Sequence, residues 1–115
     1  MPHIIIEYSQ ESLSRKLVKF LLSEAFYAVK STRIFDEQNI KVRAHPIEHY
    51  QLGESDSGFM HIICRIHTGK TQDEKQLLTQ TLLKSVKGVM MSSMVITVEV
   101  VEMDDSSYAK TVLKV

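Results

Sequence analysis

Two short runs of nearly the same sequence, 58 residues apart, constrain the fold of this chain more than any other feature. His3-Ile4-Ile5-Ile6 recurs as His61-Ile62-Ile63-Cys64. Short apolar runs rich in β-branched residues predict strands that are buried on both faces. Each run is followed by a helical pattern and then by a second strand pattern, so the predicted order is βαβ-βαβ. We interpret the repeat as the trace of a duplication.

The first half of the chain shows a strand pattern followed by a helical pattern. Residues Pro2–Tyr8 predict a strand. Ser9 is a candidate N-cap with Glu11 in the first turn, which predicts a helix running to about Lys30. The expected apolar face of this helix comprises Leu13, Leu17, Phe20, Leu21, Ala25 and Ala28.

The next strand is predicted from Asn39 to about Ile47 by strict alternation. Apolar residues fall on one side (Ile40, Val42 and Ala44) and polar ones on the other (Lys41, Arg43 and His45). Because proline lacks an N–H group, Pro46 indicates an edge strand or a bulge. Residues Gln51–Gly58 have the composition of a loop.

The second half repeats the pattern. Phe59–His67 predicts a strand, and a capping box at Thr71–Glu74 predicts a helix start. The apolar residues expected on one face of these two elements are Met60, Ile62, Cys64, Ile66, Leu78, Leu82, Val86 and Val89. Val95–Val101 predicts the last strand. The final dozen residues are polar and mixed, which indicates a tail or a short packing segment.

These elements predict an α+β fold in one domain over residues 1–115. Two βαβ pseudo-repeats would form a four-stranded sheet with two helices on one face. The other face would be bare. We expect Ile4, Ile6 and Val42 to supply apolar surface there, and therefore expect an oligomer.

Composition excludes several classes of protein. Lys plus Arg equals Asp plus Glu at 14 each, whereas a nucleic-acid module normally has a basic excess. No apolar run approaches the length of a membrane span, and no signal peptide is recognisable. The single cysteine, Cys64, is expected to be a structural thiol in a cytoplasmic protein.

Few residues of the sequence indicate a metal-binding, anion-binding or catalytic site. The pair His45 and His49 has helical metal-ligand spacing, but Pro46 lies between them, so no metal site is predicted. Lys41 and Arg43 share a strand face, and Lys70 precedes the capping box. These cations are either an anion site or ordinary surface charges.

Pro2 follows the initiator methionine. Removal of Met1 would leave a secondary amine, and α-amino groups titrate near pH 8, so part of it would be neutral and basic at pH 7. Proline is also common at this position, and Pro2 alone does not decide between a base and an ordinary residue.

Five stretches carry a family resemblance: PHIIIEYS at 2–9, IF and NIKVRAH within 34–45, EHYQL at 48–52, FMHIICRI at 59–66 and GKTQDEKQ at 69–76. With this element order, the chain resembles the 5-carboxymethyl-2-hydroxymuconate isomerase family of the tautomerase superfamily. The resemblance implies a homotrimer and no metal or organic cofactor. It also implies an N-terminal proline base that shifts a double bond in a hydroxymuconate dicarboxylate.

The resemblance assigns roles to five residues. Pro2 takes the place of the proline base, and Arg43 matches a family arginine. Lys41 and Lys70 stand where the family usually has arginines. Lysine keeps the charge and loses the bidentate geometry for carboxylates. Tyr50 takes the place of a large aromatic residue and would wall the pocket.

Two alternatives stay open at this point. One is a tautomerase of another keto acid. The other is a non-catalytic ferredoxin-like binding or assembly module, since that fold has the same element order. RNA-binding versions need aromatic residues on the central strands, and here only Phe59 is available.

Overall fold

The fold is built around one mixed β-sheet. The computed structural model describes residues 1–53 and 58–115. The strand order of the sheet is β2-β1-β3-β4. The bounds are β1 His3–Ser9, β2 Lys41–Ile47, β3 Gly58–Ile66 and β4 Met94–Glu102. Strand β1 pairs parallel with β2, β3 pairs parallel with β4, and β1 pairs antiparallel with β3. This arrangement confirms the predicted pair of βαβ units.

Two α-helices cover one face of the sheet, α1 at Arg15–Ser31 and α2 at Gln72–Lys87. The predicted capping box begins α2. The Thr71 hydroxyl accepts from the Glu74 N–H at 3.1 Å, and the Glu74 carboxylate accepts from the Thr71 N–H at 2.9 Å. Neither helix of the described residues is long and apolar enough to cross a bilayer.

The predicted start of α1 was wrong. Ser14 is its N-cap and accepts from the Leu17 N–H at 3.1 Å, whereas Ser9 precedes a short 3₁₀ turn at Gln10–Ser12. Ser9 is fully buried, and its hydroxyl accepts from the Phe59 N–H at 3.0 Å. Its side chain therefore links β1 to β3 and does not cap a helix. The predicted apolar face also included Phe20, which is 50% exposed.

The hydrophobic core lies between the sheet and the two helices. Strand residues Ile4, Ile6, Tyr8, Met60, Ile62, Cys64 and Ile66 pack there with helix residues that include Leu21, Ala25, Val29, Leu78, Leu82 and Val86. The expectation that Ile4, Ile6 and Val42 face the bare side was therefore wrong. Ile4 and Ile6 are fully buried in the core, and Val42 packs against it.

The uncovered face of the sheet carries the alternate residues of each strand. In β1 these are His3, Ile5 and Glu7, and Ile5 lies opposite Ile63 of β3. This face is mixed in character. One of its polar groups is His61, whose ring nitrogens lie 2.6 Å from the Thr97 hydroxyl and 2.6 Å from the Glu99 carboxylate.

Strand β2 is an edge strand with Pro46 paired to Tyr8, as the proline predicted. The alternation predicted for this strand is also confirmed, because Lys41, Arg43 and His45 are exposed. Part of the predicted loop, residues 54–57, lies outside the described residues.

Candidate active site

Pro2 lies immediately before β1 and is fully buried. Its carbonyl accepts from the Lys41 N–H at 3.1 Å, which continues the pairing of β1 with β2 by one step. Chain termini usually fray unless such contacts hold them. The second residue is thus fixed in a defined position at one end of the sheet.

Lys41 and Lys70 both lie at this end of the sheet. The Lys41 ammonium lies 3.2 Å from the Met1 sulfur. The Lys70 ammonium donates to the Ile34 carbonyl at 3.2 Å and lies 5.4 Å from the centre of the Phe35 ring. Lys70 also precedes α2, whose first turn is closed by the Thr71–Glu74 capping box.

The electrostatic environment favours the neutral form of an amine here. Partial burial is the main cause that lowers the pKa of the Met1 amino group below its ordinary value, followed by the positive charges of Lys110, Lys70 and Lys41. Asp36 acts in the opposite direction.

Arg43 lies two residues after Lys41 on the same face of β2, and it contacts His3. Its Nη1 atom is 3.3 Å from His3 Nδ1, and His3 Nε2 is 2.9 Å from the Tyr108 hydroxyl. A guanidinium can only donate, so His3 Nδ1 accepts and Nε2–H donates to Tyr108. Burial first, then Arg43 and Lys41, lower the pKa of His3, which agrees with this neutral tautomer.

The C-terminal residues pack against the same end of the sheet. The Met103 N–H donates to the Ile66 carbonyl at 2.7 Å, and the Asp105 carboxylate accepts from His67 and Thr68, each at 2.7 Å. Tyr108 lies edge-on to His67 with ring centres 4.7 Å apart. The last dozen residues are therefore a packing segment as far as Tyr108, whereas residues 109–115 are exposed as a tail would be.

Sequence reasoning missed three residues here: His3, Tyr108 and Lys110. His3 was used only to recognise the repeat. Tyr108 is the one aromatic residue in the polar stretch DDSSYAKT at 104–111, and this isolation was the available signal. Lys110 carries no local signal, because its position depends on the path of the chain after β4.

Tyr50 lies at the other end of the sheet. Its ring packs against Phe59 with centres 5.2 Å apart, and Phe59 is the second residue of β3, beside the end of β1. At about 3.3 Å per strand residue, this places Tyr50 roughly 20 Å from Pro2. The structure therefore brings Pro2, Lys41 and Lys70 together, with Arg43 nearby, but does not bring Tyr50 to them within one chain.

Metal ligands do not gather in the described part of the chain. Within residues 1–53 and 58–115, no group of three or more His, Cys, Asp or Glu side chains is placed to hold a metal ion. The side chains around Pro2 are mainly cationic, and such groups attract anions.

A sequence model of the family described as 5-carboxymethyl-2-hydroxymuconate isomerase matches residues 2–113. The chain belongs to this family. It is an isomerase of the tautomerase superfamily. The match begins at Pro2 and includes Tyr108, which contacts His3. No curated protein matches the chain.

Solved structures similar to the chain show the same fold. A 5-carboxymethyl-2-hydroxymuconate isomerase from Deinococcus radiodurans R1 is 20% identical with a TM-score of 0.83, over 96% of this chain and 88% of that one. A 5-carboxymethyl-2-hydroxymuconate delta-isomerase is 22% identical with a TM-score of 0.75, over 96% and 88%. W0 fused 4-OT, a wild-type symmetric trimer, is 14% identical with a TM-score of 0.81, over 95% and 93%.

Cys64 has no role in this site. It is fully buried in the core, and burial, with a smaller effect of the Glu99 charge, raises the pKa of its thiol to about 12. Since only a thiolate is nucleophilic, the group is inert at neutral pH. The expectation of a structural thiol is confirmed.

We therefore expect Cys64 to resist a thiol-specific disulfide reagent in folded protein at pH 8. The same reagent in denaturing urea should titrate one thiol per chain, because the sequence contains one cysteine. Absorbance of the released chromophore measures both. Equal reaction rates with and without urea would contradict the buried placement.

Proposed function

We propose that this protein is a cofactor-independent 5-carboxymethyl-2-hydroxymuconate delta-isomerase whose general base is the amine of Pro2 after Met1 is removed. The observation that supports this best is the placement of Pro2, which is buried at a sheet end where the charges of Lys110, Lys70 and Lys41 act on the neighbouring Met1 amino group. The family match supports the reaction class.

The proposed reaction moves one proton. Neutral Pro2 takes the proton of the substrate's enol hydroxyl, and the C2–O bond becomes a carbonyl as the electrons move along the diene. The resulting prolinium ion returns the proton to the carbon at the far end of the diene. One double bond shifts, and no electron acceptor is required. The dienolate formed between these steps is an anion, which the neighbouring lysines stabilise.

Removal of Met1 matters for two reasons. While Met1 is attached, the Pro2 nitrogen belongs to an amide and is not basic. The Lys41 ammonium also contacts the Met1 sulfur, a weak acceptor, and this contact disappears with Met1. The Lys41 ammonium is then available for a carboxylate, and we propose the same role for Lys70 and Arg43.

We also propose that the protein is a homotrimer. The uncovered sheet face carries Ile5 opposite Ile63, together with the half-exposed Val95. One similar fold, W0 fused 4-OT, is described as a symmetric trimer. Because Tyr50 is roughly 20 Å from Pro2 in its own chain, it would wall a pocket at Pro2 of another copy. A cytoplasmic location and a single domain over 1–115 remain part of the proposal.

The first prediction concerns Pro2. Protein without Met1 should isomerise 5-carboxymethyl-2-hydroxymuconate, and protein that retains Met1 should fold equally well without activity. Since burial and nearby lysines lower the pKa of the adjacent Met1 amino group, we expect the same direction for the Pro2 amine, and kcat/KM should rise with pH through one step below about pH 8 and then level off. Mass spectrometry of the N-terminus and ultraviolet absorbance of the diene provide the measurements. Equal activity of both forms would exclude Pro2 as the base.

The second prediction concerns the carboxylate anchors. Lys41→Ala and Lys70→Ala should each lower kcat/KM about ten- to a hundredfold, the size expected from the loss of a charge-assisted contact. The ketonisation of an uncharged ester analogue should change less. Lys16→Ala, an exposed lysine on α1, is the matched control and should have no effect. Losses of equal size on charged and uncharged substrates would indicate damaged structure.

The third prediction concerns assembly. Light scattering at micromolar concentration should give three times the chain mass of 13.2 kDa. Ile63→Asp places a charge on the uncovered face opposite Ile5 and should shift the protein toward monomer, because burying an unpaired charge is costly. Lys16→Ala serves again as the control. A monomeric wild-type protein would overturn the trimer.

A further inference from the structure

A series of side-chain contacts runs from the C-terminal segment through His3 to Arg43. The Tyr108 hydroxyl lies 2.9 Å from His3 Nε2, and His3 Nδ1 lies 3.3 Å from Arg43 Nη1. Because a guanidinium can only donate, His3 Nδ1 accepts from Arg43, and the Nε2–H group donates to Tyr108. Both contacts are satisfied together in one protonation state of His3, the neutral Nε2–H tautomer.

The contact with His3 brings the Arg43 guanidinium toward Pro2. In the pairing of β1 with β2, Arg43 lies opposite Ile5, whereas Lys41 lies opposite His3. The Arg43 side chain therefore reaches back by two strand positions, roughly 7 Å along the sheet. His3 follows Pro2 directly, with Cα atoms about 3.8 Å apart. Arginine has many rotamers, and the contact with His3 selects one in which the charge lies on the Pro2 side of its own Cα.

A histidine holds this arginine without neutralising it. Arg43 is exposed and makes no ion pair with a carboxylate of residues 1–53 or 58–115. A guanidinium has five N–H donors, so the contact with His3 leaves others for a carboxylate. An Asp or Glu in the place of His3 would hold Arg43 too, but it would compete with an anionic substrate. A neutral imidazole acceptor does not.

The surroundings of His3 favour its neutral form. Burial is the main cause that lowers the pKa of His3, followed by the charges of Arg43 and Lys41, with smaller effects of the Met1 amino group and His67. Arg65 of β3 is paired with His3 on its other side. An imidazolium would have no acceptor at Nδ1 and would repel the guanidinium.

We propose that His3 is a positioning residue that holds the charged Arg43 guanidinium toward Pro2 for a substrate carboxylate, and that Tyr108 fixes the tautomer of His3 that this requires. The role of His3 rests on the proposed function, in which Arg43 binds a carboxylate. An arginine that is ordered before the substrate arrives loses less rotamer freedom on binding, which raises the affinity. The C-terminal segment is thereby connected to substrate affinity through Tyr108.

The kinetic test uses protein without Met1. His3→Phe removes the acceptor and should raise KM for 5-carboxymethyl-2-hydroxymuconate about tenfold with little change in kcat, the pattern of a lost binding contact. His3→Asn should restore most of the affinity, because its amide oxygen takes the place of Nδ1. His45→Asn, at an exposed histidine on the same sheet face, is the matched control and should have no effect. Equal KM values for His3→Phe and His3→Asn would overturn the role of the Nδ1 acceptor.

Nitrogen NMR of protein labelled at its histidines tests the protonation state. The His3 signals, identified by their loss in His3→Asn, should show the Nε2–H tautomer at neutral pH. Tyr108→Phe removes the hydroxyl and keeps the ring that packs on His67. In this variant both tautomers should be populated, and KM should lie between those of wild type and His3→Phe. A wild-type His3 with its proton on Nδ1 would overturn the inference, whatever the activity.

A binding experiment separates the role of His3 from the proposed reaction. Adipate is a saturated dicarboxylate with the carbon chain of muconate, and it cannot isomerise. By titration calorimetry, Arg43→Ala and His3→Phe should each weaken adipate binding about tenfold. The double variant should bind as Arg43→Ala does, because His3 acts only through Arg43. Additive losses would overturn the positioning role. The expected non-additive losses in a protein without isomerase activity would support the role of His3 and refute the proposed reaction.

Discussion

The antiparallel pairing of β1 with β3 is the interaction on which the rest of the structure depends. It joins the two βαβ units through buried neighbours such as Ile6 and Ile62. Because β2 runs parallel to β1, both strands begin at the same end of the sheet. Because β3 runs against β1, β3 and β4 finish at that end. Pro2, Lys41, Lys70 and the C-terminal segment meet there as a consequence of strand direction alone.

Much of this fold could be predicted from local signals. The capping box at Thr71, the alternation in β2 and the edge position of Pro46 each depend on the backbone chemistry of a few neighbouring residues. The start of α1 could not be predicted from local signals, because Ser9 and Ser14 are both good caps. Only the buried contact of Ser9 with Phe59 decides between them. Three consecutive isoleucines likewise show no alternation of apolar and polar residues, so the sequence does not indicate which of them face the helices.

The candidate site was predictable in part for the same reason. The proximity of Lys41 and Lys70 to Pro2 follows once the strand order is known, and that order follows from the repeat. Tyr108 and Lys110 lie beyond the last strand, where no periodicity guides a prediction. The overall charge balance does not describe this site. The chain has 14 cationic and 14 anionic residues, yet lysines predominate around the Met1 amino group. They can depress the pKa of a base and attract anions at the same time, so one arrangement of charge serves both requirements.

The burial of Pro2 bears on whether Met1 is removed before or after the chain folds. A peptidase that removes Met1 must bind the Met1–Pro2 bond in its own cleft. In the folded protein the Pro2 side chain is enclosed and its carbonyl is bonded to the Lys41 N–H. If Pro2 is the base as proposed, trimming has to occur on the nascent chain, before β1 and β2 pair. Folding and processing are then in competition, and any chain that folds first is left stable and inactive.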